Sequence, residues 1–415
     1  MRRSVLTSLM LAGNLLACSM EASAEWPQFR GPDGGGHASA SGLPTRWSET
    51  DNVAWKTAID GLGWSSPVVR DDRIYITTAE PVAAEEQSLC LVCLDARTGA
   101  QLFRKELFKQ SGPVPMHKKN SHASPTPVIA GDSLFVHFGP HGTACVTLDG
   151  DVVWKRTLDY QPVHGNGGSP AVAGDVLVIC CDGGDLQYVV GLDLKSGEVR
   201  WKTDRQTTPK KGFSFATPLV LTIDGAQQVV CPGSDAVFSY DPQTGREIWR
   251  VDYPNGYSVT PRPVFGAGLV FVSSGYDKPV LHAIDPTGKG NVTASHVKWR
   301  MDRGAPLTPS VLVVGDELYC VADNGVACCA DARTGTERWR ERLGGNFSAS
   351  PLHADGVIYF QNESGEAIVV RAGTTFEEVA RNQLGSGERT FASYAVDGKS
   401  FLIRSEAAVY RIGKE

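Results

Sequence analysis

The residues of this chain best suited to chemistry lie in short segments that each run into a Ser/Thr-Pro step. Trp64 stands in one; Lys118, Lys119, Asn120 and His122 in the next; then come His164 with Asn166, Lys211 with Phe213, and further on Arg303, Asn346 and Arg389. Cations interleaved with rings and amides are equipment for holding a flat anion or an acidic polymer. Guanidinium and ammonium groups pair with carboxylate or phosphate, and Trp64 and Phe213 offer stacking faces. Taken singly, each is an ordinary solvated loop residue. What makes the set a candidate site is that the same place is basic again and again in a chain whose formal net charge is −6.

Other chemistries find less support. A general base near these segments would have to be Asp302 or Glu388, and each adjoins an arginine, Arg303 or Arg389, with which it is expected to pair. His117 and His122 are the closest histidines able to share a metal, with His164 as a donor from another loop. Gly-x-Ser-x-Gly is missing, and Gly31-Pro-Asp-Gly-Gly-Gly36 follows no strand and precedes no helix, so it reads as a flexible linker. Cys180-Cys181 and Cys328-Cys329 sit in apolar strand-like runs, where adjacent side chains point to opposite faces; Cys90 and Cys93 lack a second pair of zinc ligands.

The elements that must position these residues announce themselves by repetition. Asp95-Ala-Arg-Thr-Gly99 leads to Phe103, Asp193-Leu-Lys-Ser-Gly197 to Trp201, Asp241-Pro-Gln-Thr-Gly245 to Trp249 and Asp331-Ala-Arg-Thr-Gly335 to Trp339, the aromatic always eight residues after the Asp. Asp149-Gly150 before Trp154 and Asp285-Pro-Thr-Gly288 before Trp299 are edited copies. Asp and Thr side chains can bond the turn backbone while Gly supplies a positive φ, so each copy is a hairpin loop followed by a strand. In step with it run Ser66-Pro67, Ser124-Pro125, Ser169-Pro170, Thr217-Pro218, Thr260-Pro261, Thr308-Pro309 and Ser350-Pro351, with Ala392-Ser393-Tyr394 a degenerate eighth. Each unit is four strands in about 40 to 50 residues, the period of a propeller blade. The eighth unit has three evident strands, and Asn52-Val-Ala-Trp55-Lys-Thr matches the missing fourth. The expected fold is therefore all-β: an eight-bladed β-propeller of four-stranded antiparallel blades, closed by an N-terminal strand completing the last blade.

Composition narrows the field further. Forty-five Gly and 24 Pro in 415 residues make a turn-rich chain with no sustained helical period after residue 24. The acidic balance argues against nucleic acid as a partner, and no internal apolar run reaches the ~20 residues of a membrane span. Residues 1–24 read as a signal peptide: Arg2-Arg3, an apolar stretch, and Ala22-Ser23-Ala24 as the cleavage site. Leu15-Leu16-Ala17-Cys18 offers the alternative of a lipid anchor at Cys18. Both place the mature chain outside the cytoplasm, in the periplasm or at the cell surface. Its organisation is then a 25–50 extended segment and a 51–415 propeller, with nine cysteines left after cleavage.

The Asp-x-x-Thr-Gly-x-x-x-Trp and Ser/Thr-Pro signatures resemble the PQQ-type repeats of the quinoprotein alcohol dehydrogenase-like superfamily, over essentially residues 50–412. That superfamily contains PQQ-dependent dehydrogenases and also non-enzymatic exported propellers such as the assembly lipoprotein BamB. Trp26-Pro-Gln-Phe-Arg-Gly31-Pro is similar to the opening of exported planctomycete-type PQQ-like propeller proteins. The resemblance implies that the segments ahead of each Ser/Thr-Pro ring one mouth of the central channel, where quinoproteins hold their cofactor. It also makes PQQ with Ca²⁺, and a vicinal disulfide at Cys180-Cys181 or Cys328-Cys329, alternatives to weigh. Sparse carboxylates, a single modest insert at Leu107–Ser121 and the lack of Cys-x-x-Cys-His for haem favour the other branch. The expectation is a non-catalytic scaffold without a cofactor, presenting its basic mouth to an envelope protein, an anionic glycan or a small anion. PQQ- and Ca²⁺-dependent oxidation of alcohols or sugars is the alternative.

Overall fold

The computed structural model describes residues 25–385 and 387–413; the signal-peptide and Cys18 expectations fall outside them. Eight sheets form eight blades: blade 1 spans residues 68–111, blade 2 128–156, blade 3 171–204, blade 4 219–252, blade 5 264–301, blade 6 312–342, blade 7 352–383, and blade 8 395–412. The described residues contain strands and turns and no helix. Blade 8 takes its fourth strand from Val53–Ala58, antiparallel to Ala408–Ile412, so the two ends of the propeller close the ring as expected. One sheet departs from four strands. Gly290–Asn291, in the long insert before Trp299, pairs parallel with Trp249 and Arg250 of blade 4 as a fifth strand.

The repeated turn forms because Asp95 Oδ1 accepts from the Thr98 N–H and hydroxyl, both at 2.7 Å, while Gly99 takes φ +74°. The same arrangement recurs at Asp193 and Asp331. Glycine is needed there for a second reason, packing. A Cβ on Gly197 would lie 2.5 Å from the Trp154 ring of the preceding blade, and Gly99, Gly245 and Gly335 meet Trp55, Trp201 and Trp299 in the same way. Each indole also donates to a carbonyl of that neighbouring turn: Trp55 to Ala96, Trp154 to Leu194, Trp201 to Pro242 and Trp299 to Ala332, at 2.8 to 3.0 Å. The motif is thus a clasp between blades, each bond contributing about 1 kcal/mol beyond the aromatic burial. Blade 4 is the exception: Trp249 bonds Gln228 Oε1 inside its own blade, and the extra strand of blade 5 supplies the contact instead.

The apolar core is accordingly divided among blade interfaces. Leu134 and Val136 pack with Leu89 and Leu91 between blades 1 and 2, and Leu177 and Ile179 with Phe135 between blades 2 and 3. Adjacent cysteines fall into different interfaces: Cys181 faces blade 2 and Cys180 blade 4, Cys328 faces blade 5 and Cys329 blade 7. All nine described cysteines are free thiols, in keeping with the alternation of strand side chains.

Residues 25–47 overturn the expectation of a flexible linker. Trp26 pairs with Val69 of blade 1, the Pro27 carbonyl accepts from Ile129 of blade 2, and His37 pairs with His353 of blade 7. These partners lie on innermost strands, so the glycine-rich stretch crosses the channel as a plug, with Trp26 and Arg30 buried. The chain then runs outward, burying Leu43 and Trp47 against blades 7 and 8 before it enters Val53–Ala58.

Candidate functional site

Around the channel runs a ring of hydrogen bonds that links blade to blade. Ser66 N–H donates to Thr126 Oγ1, Thr126 to Ser169, Ser169 to Thr217, Ser310 to Ser350, Ser350 to Ser393 and Ser393 back to Ser66, all at 2.8 to 3.1 Å. Arg262 N–H enters the same ring by donating to Ser310 Oγ at 2.9 Å. Each donor sits two residues before its blade's first strand and would be an orphan in the narrow channel; the next blade's hydroxyl satisfies it. The Ser/Thr-Pro step stands two residues early in three units, in two of them because a second Pro follows. The ring residues are Thr126, Arg262 and Ser310, two positions beyond Ser124, Thr260 and Thr308. Arg262 alone among the eight positions has no hydroxyl.

Above the ring the channel widens into a cup of ≈ 510 Å³, and Phe29 of the N-terminal plug is part of its lining. Two aromatic walls face into it. On one side Trp64 and Phe391 lie with ring centroids 4.6 Å apart, and the Arg389 guanidinium stands 5.7 Å from the Trp64 ring. On the other, His164, Phe213 and Tyr257 form an edge-to-face series at 5.1 and 5.7 Å, continued by Tyr276. Ring hydroxyls of Ser66, Ser169 and Thr217 border the cup lower down.

Six of the twelve residues expected at the site line this cup: Trp64, Lys119, Asn120, His164, Lys211 and Phe213. The other six do not. Lys118 faces solvent; Asn166 accepts from the Tyr160 hydroxyl at 3.1 Å; the Arg303 carbonyl accepts from Arg340; the Asn346 carbonyl accepts from Glu363 N–H. Arg389 lies over the Trp64 and Phe391 rings, and His122 packs tilted beside His141 with centroids 6.1 Å apart. His117 therefore pairs with His164 (5.7 Å) and not with His122. Burial, then the nearby His164, Lys118 and Lys119 charges, holds the His117 pKa below its ordinary value, so that ring is a neutral donor or acceptor near pH 7. Among the described residues no group of three His, Cys, Asp or Glu is placed to hold a metal.

The cations of the mouth are largely neutralised. Lys119 Nζ meets Glu363 Oε1 at 2.6 Å, although Lys119 precedes blade 2 and Glu363 belongs to a hairpin of blade 7. The segment at 112–121 thus reaches over the cup. Its anchors are Asn120 Nδ2, which donates to the His164 carbonyl at 2.7 Å, and Glu363, which also accepts from Ser348 at 2.6 Å. The insert is shorter than its sequence bounds suggested, because Leu107–Ser111 continues the fourth strand of blade 1. Lys211 donates to the Tyr257 hydroxyl at 2.7 Å, which raises its pKa, and Tyr257 in turn donates to Asp277 at 2.9 Å.

The expected Glu388–Arg389 and Asp302–Arg303 pairs do not form. Glu388 binds Lys56 at 2.5 Å and accepts from the Tyr410 hydroxyl, while Arg389 binds Glu406 at 2.6 Å. Burial would raise the Glu388 pKa, but those bonds outweigh it and hold it low. The carboxylate that lines the cup, Asp323, accepts from Leu307 N–H, Thr308 N–H and the Thr308 hydroxyl. Neighbour pairing in sequence failed because adjacent loop residues diverge, whereas hairpins of different blades converge on the mouth. For the same reason Phe29, Tyr276 and Phe391 escaped notice. Tyr276 comes from a hairpin between the second and third strands of blade 5 and Phe29 from the supposed linker.

Comparison with known proteins agrees with the propeller fold. The family described as outer membrane protein assembly factor BamB matches residues 45–231 and 293–405. Among solved structures, BamB from Moraxella catarrhalis is 13% identical, with 86% of this chain and 99% of that one covered at a TM-score of 0.57. A europium-containing methanol dehydrogenase is 11% identical, covering 92% and 89%, with a TM-score of 0.65. A quinohemoprotein alcohol dehydrogenase from Pseudomonas putida HK5 is 12% identical, covering 94% and 81%, with a TM-score of 0.64. At these identities the likeness is one of fold alone. No curated protein matches the sequence.

Proposed function

We propose, from the premise that this chain belongs to the PQQ-repeat propeller family described as outer membrane protein assembly factor BamB, that it is an exported, non-catalytic binding propeller. Its ligand occupies the cup, and the partner is an anionic glycan, a small anion or an acidic segment of an envelope protein. The observation that carries this is the make-up of the cup. Two aromatic walls and a hydroxyl ring surround a space of ≈ 510 Å³, with Lys119, paired to Glu363, and Lys211, bonded to Tyr257, at its edge, and with Asp323 held by Thr308. Rings and hydroxyls hold a ligand, and the cup carboxylate Asp323, the group best placed as a general base, is held by three hydrogen bonds.

The other branch of the fold family would place PQQ and Ca²⁺ here. The aromatic walls and two lysines suit a flat polyanion, so that part of the fit is good. The calcium part is poor: Ca²⁺ takes 6 to 8 oxygen ligands, and Asp323 already accepts three hydrogen bonds. We therefore derive no oxidation step at this site.

Tryptophan fluorescence titrated with oligogalacturonate, and separately with PQQ plus Ca²⁺, tests the proposal. Saturable quenching with the glycan is expected, weakened at least about tenfold in Lys119→Glu/Lys211→Glu. The unfolding midpoint should change little, because a partly exposed pair contributes about 0–1 kcal/mol. Alcohol-dependent dye reduction with PQQ and Ca²⁺ would overturn the non-catalytic reading. Undiminished binding by the double variant would move the site away from the cup.

A further inference from the structure

Below the cup, the ring position that lacks a hydroxyl puts a charge at the heart of the molecule. Arg262 is 3% exposed, and Arg30 of the plug is 1% exposed. Arg262 Nη1 donates to the Phe29 carbonyl at 2.5 Å and Nη2 to Gln28 Oε1 at 3.1 Å; Arg30 Nη2 donates to the Gly35 carbonyl at 2.8 Å. Three of their donors, Arg30 Nε and Nη1 and Arg262 Nε, are buried and find no acceptor among the described residues. The acid whose charge reaches both arginines is Asp33, which is solvent-exposed and uses Oδ1 on the Gly35 N–H at 2.7 Å. Two buried guanidiniums thus share one exposed carboxylate.

A buried charge without a partner is strongly destabilising, and a buried N–H without an acceptor adds to that cost. Burial, and for Arg30 the neighbouring Arg262 charge, lowers the two pKa values to about 9 and about 10, so both groups stay charged near pH 7. The site therefore needs negative charge that the described residues do not supply.

We propose that Arg30 and Arg262 together bind a small inorganic anion, a monoatomic halide such as chloride, enclosed between the plug and the hydroxyl ring. The space sets the size. Gly34 lies so close that a Cβ there would overlap the Arg262 guanidinium, and a Cβ on Gly36 would meet Arg30 Nη2 at 2.6 Å and the Pro351 carbonyl at 2.9 Å. Backbone packed this closely against the guanidiniums admits one round atom more readily than a tetrahedral oxyanion. The halide neutralises the excess charge, accepts the unpaired N–H groups, and so ties the plug to blade 5. This site is separate from the cup and stands whatever the cup holds.

The test uses the full chain in sodium chloride, sodium bromide and sodium gluconate at one ionic strength, so that screening is common to all. Thermal unfolding should shift saturably with chloride and bromide relative to gluconate. At halide concentrations a hundred times the dissociation constant, the folding equilibrium should favour the native state by about a hundredfold more. Crystals grown in bromide should give an anomalous peak within hydrogen-bond reach of both guanidiniums. Arg262→Ser restores a ring hydroxyl and should abolish the halide shift and the peak; Arg389→Ala should keep both. Absence of the bromide peak from the wild-type protein overturns the proposal even if Arg262→Ser fails to fold, and so does a halide shift that survives in a folded Arg262→Ser.

Discussion

Asp182→Asn is expected to be among the most damaging single changes outside the cup. Asp182 ends a strand of blade 3, and Arg205 follows the outer strand of the same blade. The two meet in a bidentate pair at 2.6 and 2.7 Å with both side chains 1% exposed, and Arg205 also donates to the Cys231 and Pro232 carbonyls at 2.9 and 3.0 Å. Burial, the larger effect, raises the Asp182 pKa while the Arg205 charge and hydrogen bonds pull against it, and the bidentate contact pairs the two groups. The amide removes the negative charge but leaves the guanidinium in place, so the loss is that of an unpaired buried cation, about 3–5 kcal/mol. That is roughly a thousandfold in the unfolding equilibrium. Urea unfolding followed by tryptophan fluorescence measures it. The pair also underlies the site, since the Asp182 carbonyl accepts from Ser214 N–H in the loop that carries Lys211 and Phe213. Amide exchange at Ser214 should therefore rise together with the global loss. The double change Asp182→Leu/Arg205→Met should recover most of the stability, because no charge is left behind. A single variant within about 1 kcal/mol of wild type, or a double variant no better than the single, would refute this account.

Two further outcomes test the scaffold. Gly197→Ala places a methyl against Trp154 at φ +70° and should cost about 2–4 kcal/mol in chemical denaturation, whereas Gly225→Ala, at φ +79° in open space, should cost about 1 kcal/mol; equal losses would show that the indole clasp does not set the price. His137 and His282 are buried, which lowers their pKa values to about 3 and about 4, so the folded state refuses protons that the unfolded chain accepts below pH ~6.5. Stability should fall as pH drops from 6.5 toward 4.5, by about 1.4 kcal/mol per pH unit for each histidine. His137→Gln should flatten the slope, and an unchanged slope would exclude that residue.

The repeat was legible in the sequence because its physics is local. An Asp bonding its own turn, a Gly at positive φ and an aromatic eight residues on need only a hairpin and a strand. Counting such units, and noticing that Val53–Ala58 could supply the missing strand, was enough for eight closed blades. The candidate site was legible in location and only half in membership. Segments preceding the blades do reach the mouth, but which side chains face inward depends on hairpins from other blades and on partners hundreds of residues away. Lys119 meets Glu363, and Glu388 leaves the adjacent Arg389 for Lys56. The plug was invisible for the same reason. Gly31 to Gly36 have no local pattern that demands order, and only the closed ring of innermost strands offers Val69 to Trp26, Ile129 to Pro27 and His353 to Gly36 and Ala38. Sequence settled what neighbouring residues decide among themselves; tertiary structure decided where charges from distant loops cancel, and where, between Arg30 and Arg262, they do not.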